Sequence, residues 1–244
     1  MTWTQIGWTV IGLSAVLLIV FSILFKGKRQ YKVRKFTSPG VFQKQRVAAI
    51  ERGQARHLVL GDQFWSRSYP ALGLHALATL PSLATSEDLL DGEQLLSAGA
   101  GELVLFARQI VEGHYQGGFS THLPVFLPGP TPFSFLAGFI PETGLHPPGS
   151  VGMFGNFGLT AALLSEAVEL RGGHVFAAAG SITAQAALFM KTQDLLIGEE
   201  VFLLPGGFEP TAVNQAGWVT EDIIRLALMI LLVIAAGLKM AGVI

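Results

Sequence analysis

A chain of 244 residues, 50% apolar and only 14% charged, falls well below the roughly 25% charge of a soluble domain and leaves room for one domain of about 170 residues between membrane segments. It contains no cysteine, which excludes disulfides, thiolate catalysis and cysteine-held zinc or iron–sulfur centres. The net charge of −1 hides an asymmetry: residues 1–50 carry eight Lys and Arg and no acid, and the rest carry eight bases against seventeen acids, a balance that argues against a nucleic-acid partner.

In chain order, residues 1–25 come first as a transmembrane anchor. No charge interrupts Ile6 to Phe25, and about 20 apolar residues match the ~30 Å hydrocarbon core of a bilayer. Lys26, Lys28, Arg29, Lys32, Arg34 and Lys35 follow at once. That basic juxtamembrane linker, 26–47, is expected to stay cytoplasmic by the positive-inside rule. A cleaved signal would place its charges before the apolar run, so the anchor is expected to be uncleaved, with Trp3 and Trp8 at the outer interface. At the other end, the apolar run from Leu226 to Leu238, extended to Ile244, makes residues 221–244 a second transmembrane helix, with Lys239 able to snorkel. The alternative is an amphipathic or buried helix packed on the domain. Two spans place the protein in a membrane, N-terminus outside and the domain of residues 48–220 in the cytoplasm.

Within that domain short β-like runs alternate with helical ones, the pattern of βαβ units. Strands are expected at His57–Leu60, Gln94–Ser97, Leu123–Leu127, Ser150–Phe154 and Val175–Ala179. Helices are expected at Leu72–Leu83, Glu102–Tyr115, a short stretch through Phe139, Leu159–Leu170 and Thr183–Lys191. The fold class is therefore α/β: a Rossmann-like parallel sheet of about five strands with helices on both faces, flanked by the two membrane helices. Reading 120–141 and 173–190 as further spans is opposed by prolines at 124, 128, 130, 132 and 141 and by the break at Gly180, Ser181 and Thr183.

Ligands of such sheets collect beyond the carboxyl ends of the strands, which brings Gly61, Asp62, Gly99, Gly129, Gly155, Asn156, Gly180 and Ser181 to one edge. The turn Gly152-Met-Phe-Gly155-Asn-Phe-Gly158 could present backbone N–H groups to an anion. Its spacing is GxxGxxG, not GxGxxG, and no acid follows about 20 residues on to hold a ribose, so close packing competes with anion binding. Glu199 and Glu200 are an acid–base candidate, against capping or a solvated face; Asp194 is expected to cap the next turn. The six histidines show no metal-ligand spacing, and neither a GxSxG elbow nor a GxxxxGK[ST] loop is present. No catalytic residue and no metal site is assigned, and the cofactor is left open.

The stretches AAIERGQARHLVLG, VGMFGNFGLTAALLSEAVELRGG and AAAGSITAQAALFMKTQDLLIGEEVF resemble an uncharacterised family of bacterial, Chloroflexi-like membrane proteins. The resemblance implies a membrane-tethered α/β domain and no assigned activity. The loop Asp62-Gln63-Phe64-Trp65 departs from the small-residue loop of that pattern. The expectation from the sequence is a non-enzymatic scaffold, assembly factor or subunit of a membrane complex. Its partners would be the bilayer and either copies of itself or other membrane subunits. The alternative is a nucleotide- or small-ligand-binding domain using Gly61, Asp62, Gly152, Gly155, Asn156, Gly158, Gly180, Ser181 and Glu199.

Overall fold

The computed structural model describes residues 3–25, 38–63, 71–83, 93–114, 123–192, 194–208 and 211–240. The basic stretch 26–35 and the tip of the loop after Gln63 lie outside them. The chain divides into two compact units, 1–35 with 210–244, and 36–209.

The first unit contains helix α1, Trp3–Phe25, packed on a helix from Ala212 to Met240 that closes the chain. Gly7–Phe25, with a mean hydropathy of 2.5 and none of it buried, is long and apolar enough to cross a membrane by length and composition. Its Thr9 and Ser14 hydroxyls donate to carbonyls four residues back, so they present no unpaired polar group. The closing helix starts at 212, not 221, and is 29 residues long, about 43 Å. It exceeds the hydrocarbon thickness, and the residues expected to begin a second span are interior to it.

The second unit is built on a six-stranded, all-parallel sheet in the order β3-β2-β1-β4-β5-β6. Its strands are β1 Ala55–Leu60, β2 Gln94–Ala98, β3 Val125–Phe126, β4 Pro148–Gly155, β5 His174–Ala179 and β6 Leu195–Leu196. Five strands were expected; the sixth is the DLLIG segment, whose two residues pair with Ala177 and Ala178. Burial on both sides explains the uninterrupted apolar runs: every residue of β1, β2 and β4 is buried, as covered parallel sheets require.

Alternate strand residues feed two cores. One holds Leu58, Leu60, Leu96, Phe154 and Phe176 under α2 Ser38–Glu51, α3 Leu72–Leu83 and α4 Gly101–His114. The other holds Val59, Val151, Met153 and Val175 under α5 Pro132–Leu145, α6 Thr160–Glu169 and α7 Ile182–Phe189. A 3-10 helix, Gly198–Leu203, and the short α8, Leu204–Phe208, complete the first layer. The closing helix of the other unit is α9.

Helix α2 corrects the boundary expected at residue 48, because most of it falls in what the sequence assigns to the linker. Phe42 is fully buried, stacked on Phe176 at 5.0 Å and edge-on to Phe154 and Phe208. Helix α5 runs to Leu145, well past Phe139. A capping box holds its start: the Thr131 hydroxyl accepts from the Ser134 N–H, and Ser134 accepts from the Thr131 N–H. Pro132 sits in the first turn, where no N–H is needed.

Candidate functional site

The sheet order reverses between β1 and β4, and in doubly wound sheets the ligand crevice opens at that point, beyond the carboxyl ends of the strands. Here the exits of the two strands cross at close quarters. Gly61 N–H donates to Phe154 O at 2.9 Å, Gly99 N–H to Gly61 O at 3.2 Å and Gly180 N–H to Gly155 O at 3.1 Å. Gln63 bridges to Asn156 in an isolated antiparallel pair. A Cβ on Gly61 would collide with the Asn156 backbone, and one on Gly155 would lie 2.9 Å from Gly61 N. Gly155 also has φ +123, a conformation that L side chains rarely adopt.

Asp62 is the polar centre of this crossing. It is buried at the β1 exit, and one carboxylate oxygen accepts from the Thr160 hydroxyl at 3.2 Å and, at 3.5 Å, from the Gly158 N–H. Leu159 at the N-cap of helix α6 makes no side-chain cap bond; the first-turn N–H groups of Ala161 and Ala162 go to Gly158 O and Leu159 O, and Asp62 ties the helix start to β1 through the Thr160 hydroxyl, 98 residues away. The other Asp62 oxygen is buried with no hydrogen-bond partner among the described residues. Desolvation raises the carboxyl above its usual range, opposed by the Gly158 and Thr160 hydrogen bonds.

That arrangement separates the two roles of Asp62. Asparagine keeps an acceptor for Gly158 and Thr160 while removing the desolvated charge, so Asp62→Asn is expected to change stability by less than about 1 kcal/mol. Asp62→Ala orphans both donors and is expected to cost about 1–3 kcal/mol. Denaturant unfolding of the two variants at pH 7 checks the pair.

The remaining candidates are placed as follows. Gly61, Asp62, Gly155, Asn156, Gly158 and Gly180 are brought together at the crossing. Gly152 is not among them: it lies inside β4, where a Cβ would meet the rings of Phe42 and Phe154. Ser181 caps α7, accepting from the Ala184 N–H at 3.0 Å and donating to Phe157 O at 2.7 Å. Glu199 and Glu200 lie in the 3-10 helix beyond β6, which packs on α3 through the ring of Phe202, 5.3 Å from that of His75. Asp194 does not cap a turn; its carboxylate is 2.7 Å from His174 Nε2.

The opposite, amino-terminal edge carries a feature that motif reading passes over. Gln94, Arg56, Ser150 and His174 are register partners on four successive strands and form a polar row on one face, with the first three buried. The Gln94 amide atoms and the Ser150 hydroxyl have no hydrogen-bond partner among the described residues. An arginine inside an apolar strand was the available signal. No group of three metal-ligating side chains occurs among the described residues.

The fold and the crossing define an α/β protein with a parallel sheet whose strand order reverses between β1 and β4. No family model, curated protein or solved structure matches the chain.

Proposed function

We propose that this chain is a membrane-anchored, non-enzymatic scaffold or subunit of a larger membrane complex, whose α/β domain works by presenting a protein-binding surface. One observation carries the reading. On α5, α6 and α7 the charged residues Glu142, Glu166 and Glu169 are half-buried, Glu166 paired with the exposed Lys191 just beyond α7, and the exposed positions include Phe133, Leu145, Leu163, Ile182 and Phe189. Helices α2 and α4 of the other layer expose Lys44, Glu51, Glu102, Arg108 and Glu112 in the ordinary solvated manner. A surface with this many exposed apolar side chains marks a contact site.

The same proposal includes the membrane topology. Helix α1 and the second half of α9 form the anchor, since α9 exposes Leu226, Leu228, Met229, Ile230, Leu231, Leu232 and Val233 in succession. The basic stretch after Phe25 keeps the domain cytoplasmic. Membership of the uncharacterised bacterial family belongs to this proposal as well.

A second reading, a Rossmann-like small-ligand domain, is favoured by the order reversal at β1 and β4 and by the buried Asp62 oxygen that has no hydrogen-bond partner among the described residues. The carboxylate already occupies the N-terminus of α6, where an anionic group would bind, so a ligand in that crevice would bring hydrogen-bond donors and not a phosphate. Native mass spectrometry of protein released gently from its host membrane separates the readings. Scaffolding predicts a stoichiometric protein assembly with an empty crevice. A monomer carrying one small molecule per chain, lost in Asp62→Ala, would overturn it.

A further inference from the structure

We propose that α2 is a releasable strap: it lifts off β1, β4 and β5 as one unit, at a free energy well below that of unfolding the domain, while the rest of the fold stays in place. This goes beyond the scaffold reading and concerns the layer opposite the proposed contact face. Helix α2 buries little. Its inward positions are Pro39, Phe42, Arg46 and Ala49, and Phe42 is the one large apolar side chain among them. By contrast α3 buries Leu72, Leu77, Leu80 and Leu83, and α4 buries Leu103, Ala107 and Val111. Helices in proteins owe most of their stability to the packing of such a face, so α2 is the most lightly held of the three.

What lies beneath favours release. Ser150 and its register partner His174 share the sheet face of Gly152, and a Cβ on Gly152 would meet the Phe42 ring, so this face is the one α2 covers. Ser150 Oγ, His174 Nδ1 and, just past the end of α2, Gln54 Oε1 are buried with no hydrogen-bond partner among the described residues. Such groups cost free energy while they stay dry. Lifting α2 lets water reach them, which offsets part of what Phe42 loses. The seat is nevertheless shaped for this helix. A Cβ on Gly149 would meet the side chains of Ala49 and Gln54, and glycine inside a strand marks the close approach of another element. Helix α2 thus has one docked position, lightly held. It is also the first element of its unit after the basic stretch in the chain, so a pull or a partner acting on that stretch reaches α2 before any strand.

Native-state hydrogen exchange of the full-length protein in detergent, read by mass spectrometry, tests this. The amides in the middle of α2, from Phe42 to Ala49, are expected to exchange together and at least about 100-fold faster than those of α3 and α4. Fraying from the helix ends would instead leave that middle protected, and exchange at the rate of α3 and α4 would mean that the layer opens as one; either result overturns the strap. Ser150→Ala removes one of the dry groups and is expected to slow α2 exchange about fivefold, since the docked state no longer bears its cost. Unchanged α2 exchange in that variant would show that Ser150 gains no water when α2 opens, and would overturn release from this face.

Discussion

Replacing His57 with leucine is expected to stabilise the α/β domain at neutral pH and to flatten its acid sensitivity. His57 is wholly buried in β1 between the rings of Phe126 and Phe139, at 5.8 and 5.0 Å, and neither ring nitrogen has a hydrogen-bond partner among the described residues. A buried polar group left unpaired costs about 1–3 kcal/mol, and leucine fills a similar volume without one, so a gain of that size is expected at pH 7. Burial lowers the imidazole from 6.5 to about 3, with a smaller contribution from His146. The native state therefore refuses a proton that the unfolded chain accepts below pH 6.5. Full stability is present above pH 6.5 and is lost progressively as the pH falls towards 3, by about 1.4 kcal/mol per unit and on the order of 4–5 kcal/mol in all. Denaturant midpoints of wild type and His57→Leu between pH 7 and 4 should diverge as the pH falls. Parallel curves would show that the histidine finds a partner or solvent when charged.

The second large effect belongs to the strand crossing. Gly61→Ala is expected to cost at least about 3 kcal/mol, because the added methyl group meets the backbone of Asn156, which cannot step aside as the end of a flexible side chain can. Gly155→Ala adds strain at φ +123 to its contact with Gly61, and is expected to be comparably damaging. Gly53, with φ +64 and open space around it, is the control: Gly53→Ala should cost only the left-handed backbone penalty of about 1–2 kcal/mol. Thermal unfolding in detergent ranks the three. A loss at 61 no larger than that at 53 would mean that the Asn156 backbone gives way to the added methyl group.

Much of the domain could be read from the chain because its strands are buried on both faces. The apolar runs at 57–60, 94–97 and 175–179 fall inside β1, β2 and β5, and the helical stretch at 159–170 contains α6. The edges of the sheet were harder. Two-residue strands such as β6 carry too few side chains for any periodicity, and Leu195–Leu196 directly follows Asp194, which was expected to cap a turn. Helix α2 escaped because Gln43, Lys44 and Arg46 break the apolar pattern; only the packing reveals that Arg46 is buried and reaches the carbonyl of Leu83 at 2.5 Å, beyond the end of the usual α3 hydrogen bonds. At the crossing, Gly61, Asp62, Gly155 and Gly180 lie together beyond the strand ends, whereas Gly152 lies inside β4. The sequence did not show that Asp62 and Thr160 meet, since a contact spanning 98 residues leaves no local signature.

The ring cluster under the sheet bears on how the molecule is put together. Phe42, on the first helix of the α/β unit, and Phe208, on its last, stand 6.1 Å apart and both lean on Phe176. The polypeptide thus enters and leaves this unit at nearly one place, clasped by aromatic rings. A unit closed in that way behaves as an insertion between α1 and α9 in the chain. Tension arriving along either connection would be borne by the clasp, leaving the hydrogen bonds of the strands unloaded.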